Sequence, residues 1–368
     1  MHERCAQKLI EARSKAAHLS AFIGLDGFVD EIIHVVDQRQ NAGTFTRIPT
    51  IAALGDRLRE AAGKSTNIEL VTQRTKLGGN GPIMAEALAN FGVRVTYLGN
   101  LGFPALHPVF KPLAEKAEVY SIAEPCHTDA LEFQDGKVLF GKSTQLNEIT
   151  WANIQNRFGR EKFAAKFNSS SLVGFVNWTM VAHMSAIWES LLHELCPALT
   201  GPRRFIFFDL ADPQKRTDDD IVRALKLISQ FQNYFDVILG MNEKEAGEIA
   251  EALGLPVPES NADSLVNLAR EVHQRVPVHT IAIHPVTYAL AFCAGQADVV
   301  PGPYVSRPMI TTGAGDHFNA GLCLAKLLGF DNAECVLLGV ATSGFYVANG
   351  RGPHLLDLVT MLRQWPSK

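Results

Sequence analysis

Short, unbroken apolar runs recur along the chain, and most end in glycine, aspartate or asparagine before a helix-like stretch begins. "AFIGLDGFVD" (21–30), "GVRVTYLGNLG" (92–102), "SLVGFVN" (171–177), "RRFIFFDLAD" (203–212) and "DVILGMNEKEA" (236–246) show the pattern, and "HTIAIHP" (279–285) is a further apolar run, ending in His-Pro. A strand that is apolar at successive positions, rather than at alternate ones, must be covered on both faces. That requirement points to a mainly parallel sheet between two layers of helices. "PIMAEALANF" (82–91), "HFNAGLCLAKLLG" (317–329) and "AECVLLGVATSGFYVANG" (333–350) supply helical periods to cover it. The expected class is α/β, a three-layer sandwich around a mainly parallel sheet. Ligands in such folds sit beyond the carboxyl ends of the strands, which is where the polar punctuation falls.

Two stretches break the rhythm. Residues 37–76 are more polar, with one amphipathic helix around "IAALGDRLREAA". Residues 126–149, "CHTDALEFQDGKVLFGKSTQLNEI", alternate like a hairpin with "QDGK" as its turn. Both are expected to form a small accessory β-sheet, a lid, inserted in a single domain spanning 1–368. With 368 residues, 47% hydrophobic and 20% charged, the chain has the make-up of a large globular core and not of a disordered or fibrous protein. The formal net charge is −4 and no long basic run occurs, so neither nucleic acid nor an anionic membrane is an expected partner. An anionic substrate would have to be held locally, by backbone N–H groups or a metal. The N-terminal "MHERCAQKLIEARSKAAHLS" is charged throughout and reads as an amphipathic helix, not a signal peptide. No apolar run reaches transmembrane length. Six scattered cysteines without a C-x-x-C pair suit reduced thiols in a cytoplasmic protein.

Four motifs carry chemistry. "TTGAGD" (311–316) places Gly313, Ala314 and Gly315 before a helix, with Asp316 in its first turn. Free N–H groups and the positive dipole end favour an anion there. A carboxylate beside such an anion hole suits phosphoryl transfer to an alcohol, the acid taking the hydroxyl proton. "KLGGNGPIMAEALANFG" (76–92) repeats the logic with Gly78, Gly79 and Asn80, whose amide both donates to and accepts from sugar hydroxyls. "GLDGFVDEI" (24–32) offers Asp26 and Asp30 as acceptors for vicinal hydroxyls. "GMNEKEAGEIA" (240–250) sets Asn242 and Glu245 three apart at a helix start, where both could face one Mg²⁺ water shell. Each motif alone reads as well as turn glycines or a helix cap; together, at strand ends, they are harder to read so. "GKVLFGKS" (136–143) fits the P-loop pattern but lacks its strand–loop–helix setting, because its interior is itself strand-like.

In this order the motifs resemble the ribokinase/PfkB carbohydrate kinases over roughly residues 20 to 355, most specifically in "GAGDHFNAG". The resemblance implies a ribokinase-like fold and ATP- and Mg²⁺-dependent phosphorylation of a sugar hydroxyl, with a monovalent cation such as K⁺ as a further cofactor. It implies Asp316 as the catalytic base and Gly313, Ala314 and Gly315 as the anion hole. Gly78, Gly79 and Asn80 would meet the sugar together with Asp26 or Asp30, the latter slightly favoured. Asn242 and Glu245 match the N-x-x-E motif that organises Mg²⁺ and phosphates. Asp209, at a strand end, would reach the phosphates through Mg²⁺ or serve as a cap. Where the family carries a glycine-bearing loop near the nucleotide, this chain reads "HPVTYAL" (284–290), with Thr287 at the nucleotide. Asn349 lies where adenine and monovalent-cation contacts fall. The resemblance also allows two chains to pair through the lid. A nucleoside or other small alcohol as acceptor, or a sugar-binding regulator without turnover, are the alternative readings.

Overall fold

The computed structural model describes residues 1–366. In chain order the strands are β1 (Ser20–Leu25), β2 (Phe28–Asn41), β3 (Thr44–Arg47), β4 (Leu70–Gly78), β5 (Arg94–Gly99), β6 (Glu118–Ser121) and β7 (Cys126–Glu132). They continue as β8 (Lys137–Lys142), β9 (Leu172–Phe175), β10 (Phe205–Asp209), β11 (Asp236–Asn242), β12 (Thr280–His284), β13 (Tyr288–Cys293) and β14 (Gln296–Pro301). Nine of them form the central sheet in the order β14-β13-β12-β11-β10-β9-β1-β5-β6. The strands from β12 to β6 run parallel, and β13 with β14 closes one edge as an antiparallel hairpin.

The apolar runs form these strands because successive side chains face opposite layers. Phe22 and Phe208 enter one hydrophobic layer, together with Trp178 and Trp188; their neighbours Ile23 and Phe207 enter the other. From β1 the chain winds one way to β5 and β6, and the other way from β9 to β12. The crevice between the ends of β1 and β9 is therefore the topological switch point, where such sheets bind ligands.

The second sheet is built on β2, which pairs with β3 and β4 antiparallel and with β7 parallel, β8 completing it. Its hairpin, β7 and β8, falls where the alternation of 126–149 predicts it. The polar stretch was expected to begin at 37, but β2 begins at Phe28. "FVDEIIHVV" is apolar enough to read as more of the first strand, and only the break at Asp26–Gly27 turns it out of the central sheet. The period of two then divides the strand. Ile33 and Val35 join Ile48, Leu54, Leu131 and Phe133 in a small core of their own, under the helix Ile51–Glu60. Asp30 and Ile32 face the other way, toward the central sheet's crevice. The P-loop look-alike 136–143 lies on β8, followed by a short 3₁₀ turn at Thr144–Glu148. Among the described residues no helix is long and apolar enough to cross a membrane.

The helix Ala314–Leu328 packs along Asn332–Asn349 at very close range. A Cβ on Gly321 would lie 2.7 Å from the Leu338 carbonyl oxygen and would also strike the Thr342 hydroxyl. Gly321→Ala is expected to lower the unfolding free energy by about 1–3 kcal/mol, read as a lower urea midpoint. An unchanged midpoint would mean that the helices separate without cost.

Candidate active site

Asp26 follows β1 directly and is fully buried. One carboxylate oxygen accepts from the Asn177 amide (2.8 Å), which follows β9, and from the Asn80 backbone N–H (3.1 Å). The other accepts from the Gly81 N–H (2.9 Å), and the Tyr97 hydroxyl donates to the Asp26 backbone carbonyl. Asp26 thus caps the helix Asn80–Asn90, whose chain enters through Gly79 at φ 96°. Burial raises the Asp26 pKa, and these hydrogen bonds pull it back. Of the two acids left open by the sequence, Asp26 is committed to protein donors and joins three segments.

Asp30 is the acid that faces space. A cavity of about 170 Å³ between the two sheets is lined by Asp30, Lys76, Gly79, Asn80, Asn177 and Thr312, among others. Burial raises the Asp30 pKa, and the Lys76 ammonium, 4.0 Å away, opposes that rise. Gly78 lies beneath Asp30, so closely that a Cβ there would collide with the carboxylate. Phe28 is the one aromatic residue lining this cavity, whereas Trp178 is buried in the core and Phe103 lies under the Arg157 guanidinium. Two other lid cations are engaged elsewhere: Lys142 with Asp129 and Arg47 with His34. The cations in the cavity are Lys76 and Lys137. Sequence reasoning missed them; the available signal was their even spacing from Gly78 and from Leu139 on strands that alternate.

The helix Ala314–Leu328 starts from Gly313, which takes the left-handed conformation at φ 93°. The Ala314 N–H donates to the Thr311 carbonyl and the His317 N–H to the Gly313 carbonyl. Between them, the N–H groups of Gly315 and Asp316 have no acceptor among the described residues. The turn is held from behind: Tyr346 donates to the Thr312 carbonyl (2.9 Å), and His317 Nδ1 bonds the Gly313 carbonyl (2.8 Å). Asp316 is 6% exposed, and its carboxylate accepts from the Asn80 side-chain amide at 3.0 Å. Burial pushes its pKa well above the ordinary carboxylate value, and the Asp209 charge adds to the rise. His284, ending β12, lies against Gly315, where a Cβ would sit 3.1 Å from its Cε1. Burial lowers that imidazole to about 4, so it is neutral at ordinary pH.

Asp209 ends β10 and accepts from the Asn319 amide and the Ala211 N–H, both at 2.9 Å. Burial and the nearby Glu245 charge hold its pKa well up. Asn242 and Glu245 form a reciprocal capping box: the Glu245 N–H donates to Asn242 Oδ1 (2.9 Å) and the Asn242 N–H to Glu245 Oε2 (2.8 Å). The remaining Glu245 oxygen accepts from the Asp212 N–H at 3.0 Å. Asp26, Asp209, Glu245 and Asp316 influence one another's titration, and none has a lysine or arginine ion pair among the described residues. No group of three or more histidine, cysteine or acidic residues among them stands close enough to ligate a metal directly. Thr287 lies exposed in the β12–β13 turn, its carbonyl accepting from the Gly302 N–H. Asn349 is exposed at the end of its helix, with its amide on the Phe345 carbonyl. The structure therefore unites Asp30, Gly78, Gly79, Asn80, Gly313, Gly315 and Asp316 around one crevice. Asp26 supports them, and Asp209 with Glu245 form an acidic wall at neighbouring strand ends.

This arrangement can hold a polyhydroxy compound, take a proton from it and receive an anion. Asp26→Ala removes the acceptor of three buried donors, each worth about 1–3 kcal/mol when left unpaired. The variant is expected to be destabilised by roughly 3 kcal/mol or more, measured by urea unfolding. A stability loss below half that would mean that the crevice is held by packing alone.

A family model described as prokaryotic ketohexokinase matches residues 3–365. A ketohexokinase from Haloferax volcanii is 28% identical over 332 residues, covering 90% of this chain and 87% of that protein. Among solved structures, Arabidopsis thaliana ribokinase complexed with ribose and ATP aligns at a TM-score of 0.63 and 15% identity, over 94% of this chain and 98% of the other. Escherichia coli phosphofructokinase-2 in complex with substrates and products aligns at 0.62 and 14%, over 94% and 99%. The fold is that of the ribokinase-like kinases, as the sequence motifs imply.

Proposed function

The chain belongs to the prokaryotic ketohexokinase family, and from that premise we propose that it transfers the γ-phosphoryl group of ATP to a hydroxyl of a ketohexose. The observation that carries this reading is the placement of Asp316. It is buried beside two unbonded N–H groups and linked through Asn80 to the cavity that holds Asp30. A single aromatic ring among polar lining groups suits a saccharide better than a nucleoside base.

In the proposed reaction, Asp30 and Asn80 bind sugar hydroxyls and orient the reacting one toward Asp316. Asp316 accepts its proton as the oxygen attacks phosphorus. The N–H groups of Gly315 and Asp316, with Ala314 and Gly313 shaping the turn, receive the negative charge of the transferring phosphoryl. The raised pKa of Asp316 makes it a stronger base than an exposed aspartate, and the Asn80 amide steadies its charged form. Buried carboxylates without an ion-pair partner among the described residues are hard oxygen groups with unbalanced charge, which suits Mg²⁺ carried by the nucleotide's phosphates. Asp209 and Glu245 would hold it through its water shell, where it screens phosphate charge. The neutral His284 ring over Gly315 bounds the phosphate side of the turn, and the 284–287 loop with Asn349 faces the nucleotide. The second sheet acts as a lid that excludes water from the transfer.

Asp316→Asn is expected to lower kcat by roughly 10²–10⁴-fold while leaving the urea midpoint close to that of the parent. A nearly active variant would remove Asp316 from the role of base. Asp30→Asn should raise the KM for the ketohexose about tenfold or more with a smaller change in kcat; an effect on the KM for ATP alone would contradict its placement.

The pH dependence follows from the sign of the Asp316 shift. A base must be deprotonated, so kcat falls as pH drops through its raised pKa, and the acid limb lies above the usual carboxylate range. Burial favours the protonated acid over the charged form relative to an exposed aspartate, so its stabilising contribution is present at low pH and lost as pH rises through the raised pKa. Raising Mg²⁺ should move the acid limb of kcat to lower pH. A limb that ignores Mg²⁺ would separate the acidic wall from the metal.

A further inference from the structure

A second cleft, of about 600 Å³, opens on the far side of β4 from the sugar cavity, between β4, the outer face of the helix Asn80–Asn90 and the segment 350–354. Lys76 alone lines both spaces. The cleft is cationic: Arg74, Lys76, Lys116 and Arg351 line it against one carboxylate, Glu86. Lys116 is paired with Glu86 (2.7 Å) and Arg351 with Asp357 (2.8 and 3.0 Å). Arg74 is exposed, and its side chain makes no hydrogen bond or ion pair among the described residues. Clefts of this volume accommodate small metabolites, and a guanidinium near two ammonium groups suits a phosphate dianion.

The back wall carries a polar acceptor and a link to the catalytic turn. His317 stacks on Tyr346 with ring centres 3.7 Å apart and planes within 15°. Because His317 Nδ1 meets a carbonyl oxygen, it must carry the ring proton, which leaves Nε2 as a bare acceptor beside Gly352 at the cleft wall. Burial lowers this imidazole to about 4, so that tautomer persists at ordinary pH. The same two side chains hold the Thr312 and Gly313 carbonyls, which set the turn over which the phosphoryl group is proposed to pass.

We propose that this cleft is a second ligand site for a phosphorylated polyol. Its phosphate would be held by Arg74 and Lys116, and a hydroxyl would donate to His317 Nε2. An occupant would act on the reaction at two points, through Lys76 on the sugar cavity and through the His317–Tyr346 pair on the 313–315 turn. The coupling rests on the proposed role of that turn; the binding does not.

The test is a calorimetric titration with glycerol 3-phosphate, with inorganic phosphate as a second probe, while fructose and a non-hydrolysable ATP analogue saturate the active site. Glycerol 3-phosphate is expected to bind more tightly than inorganic phosphate, and Arg74→Ala/Lys116→Ala to weaken it at least tenfold. Without added phosphates the variant should turn over within twofold of the parent. Saturating glycerol 3-phosphate should shift the KM for the sugar or kcat in the parent and not in the variant. No binding at millimolar concentration, or equal binding to the variant, overturns the site. Binding that the variant loses without any kinetic effect in the parent overturns the coupling and leaves the site standing. Absence of any turnover of fructose with ATP by the parent enzyme without added phosphates overturns the proposed reaction, while the calorimetric result still decides the site.

Discussion

The catalytic face depends on one buried carboxylate. Asp26 sits where β1 ends and draws together the start of the helix Asn80–Asn90 and Asn177 at the end of β9. Taking a charged group out of water is costly, and only converging donors offset that cost. Three donors from two distant segments therefore specify how wide the switch-point crevice is. Asn80 is placed by the same contact, through its backbone, and its side chain is thereby free to reach Asp316, 236 residues further along. The proposed sugar pocket and the proposed base share one residue because one acid positions its backbone.

Charge is segregated around that crevice. Asp26, Asp209, Glu245 and Asp316 gather at the ends of the central strands with no ion-pair partner among the described residues; burial raises their pKa values, and repulsion from the neighbouring acids adds to the rise at Asp209 and Asp316. Of the cations on the second sheet, Lys76 and Lys137 line the cavity between the sheets. An anionic ligand entering between the sheets meets positive charge from the lid and from the free N–H groups of the 313–315 turn. A cation carried with it meets the acidic wall. This separation fits the proposed transfer from a magnesium-bearing nucleotide, and it explains why no metal cage built from side chains alone is needed.

How far the sequence could be read varies from residue to residue. The GAGD turn was legible because glycine, small residue, glycine and acid before an apolar helix leave little choice of backbone. The lid hairpin was legible from its period of two and its turn. "GKVLFGKS" shows the opposite case: eight residues match a phosphate loop, yet the alternation of their neighbours places them on β8. Asn242 and Glu245 remain double in meaning, since the capping box uses the very atoms that a spacing argument turns toward a metal. Lys76 and Lys137 passed unnoticed because a lysine on an exposed strand is ordinary. Only the neighbouring sheet makes these two line a cavity.

By itself, the sequence determined what local rules can determine: the class of fold, the strand ends where polar residues gather, the glycine turns, and a carboxylate in the first turn of the helix after one of them. These follow from hydrophobic period and backbone freedom, which are properties of neighbours in the chain. The tertiary structure decided which acid is buried among protein donors and which lines a cavity. Asp26 and Asp30 are four residues apart and chemically alike, but Asp26 meets donors from residues 80, 81 and 177, while Asp30 meets open space and Lys76. It also decided that Lys76 is a wall between two cavities. Burial and hydrogen-bond satisfaction depend on segments brought together from across the chain, so no local pattern could carry them.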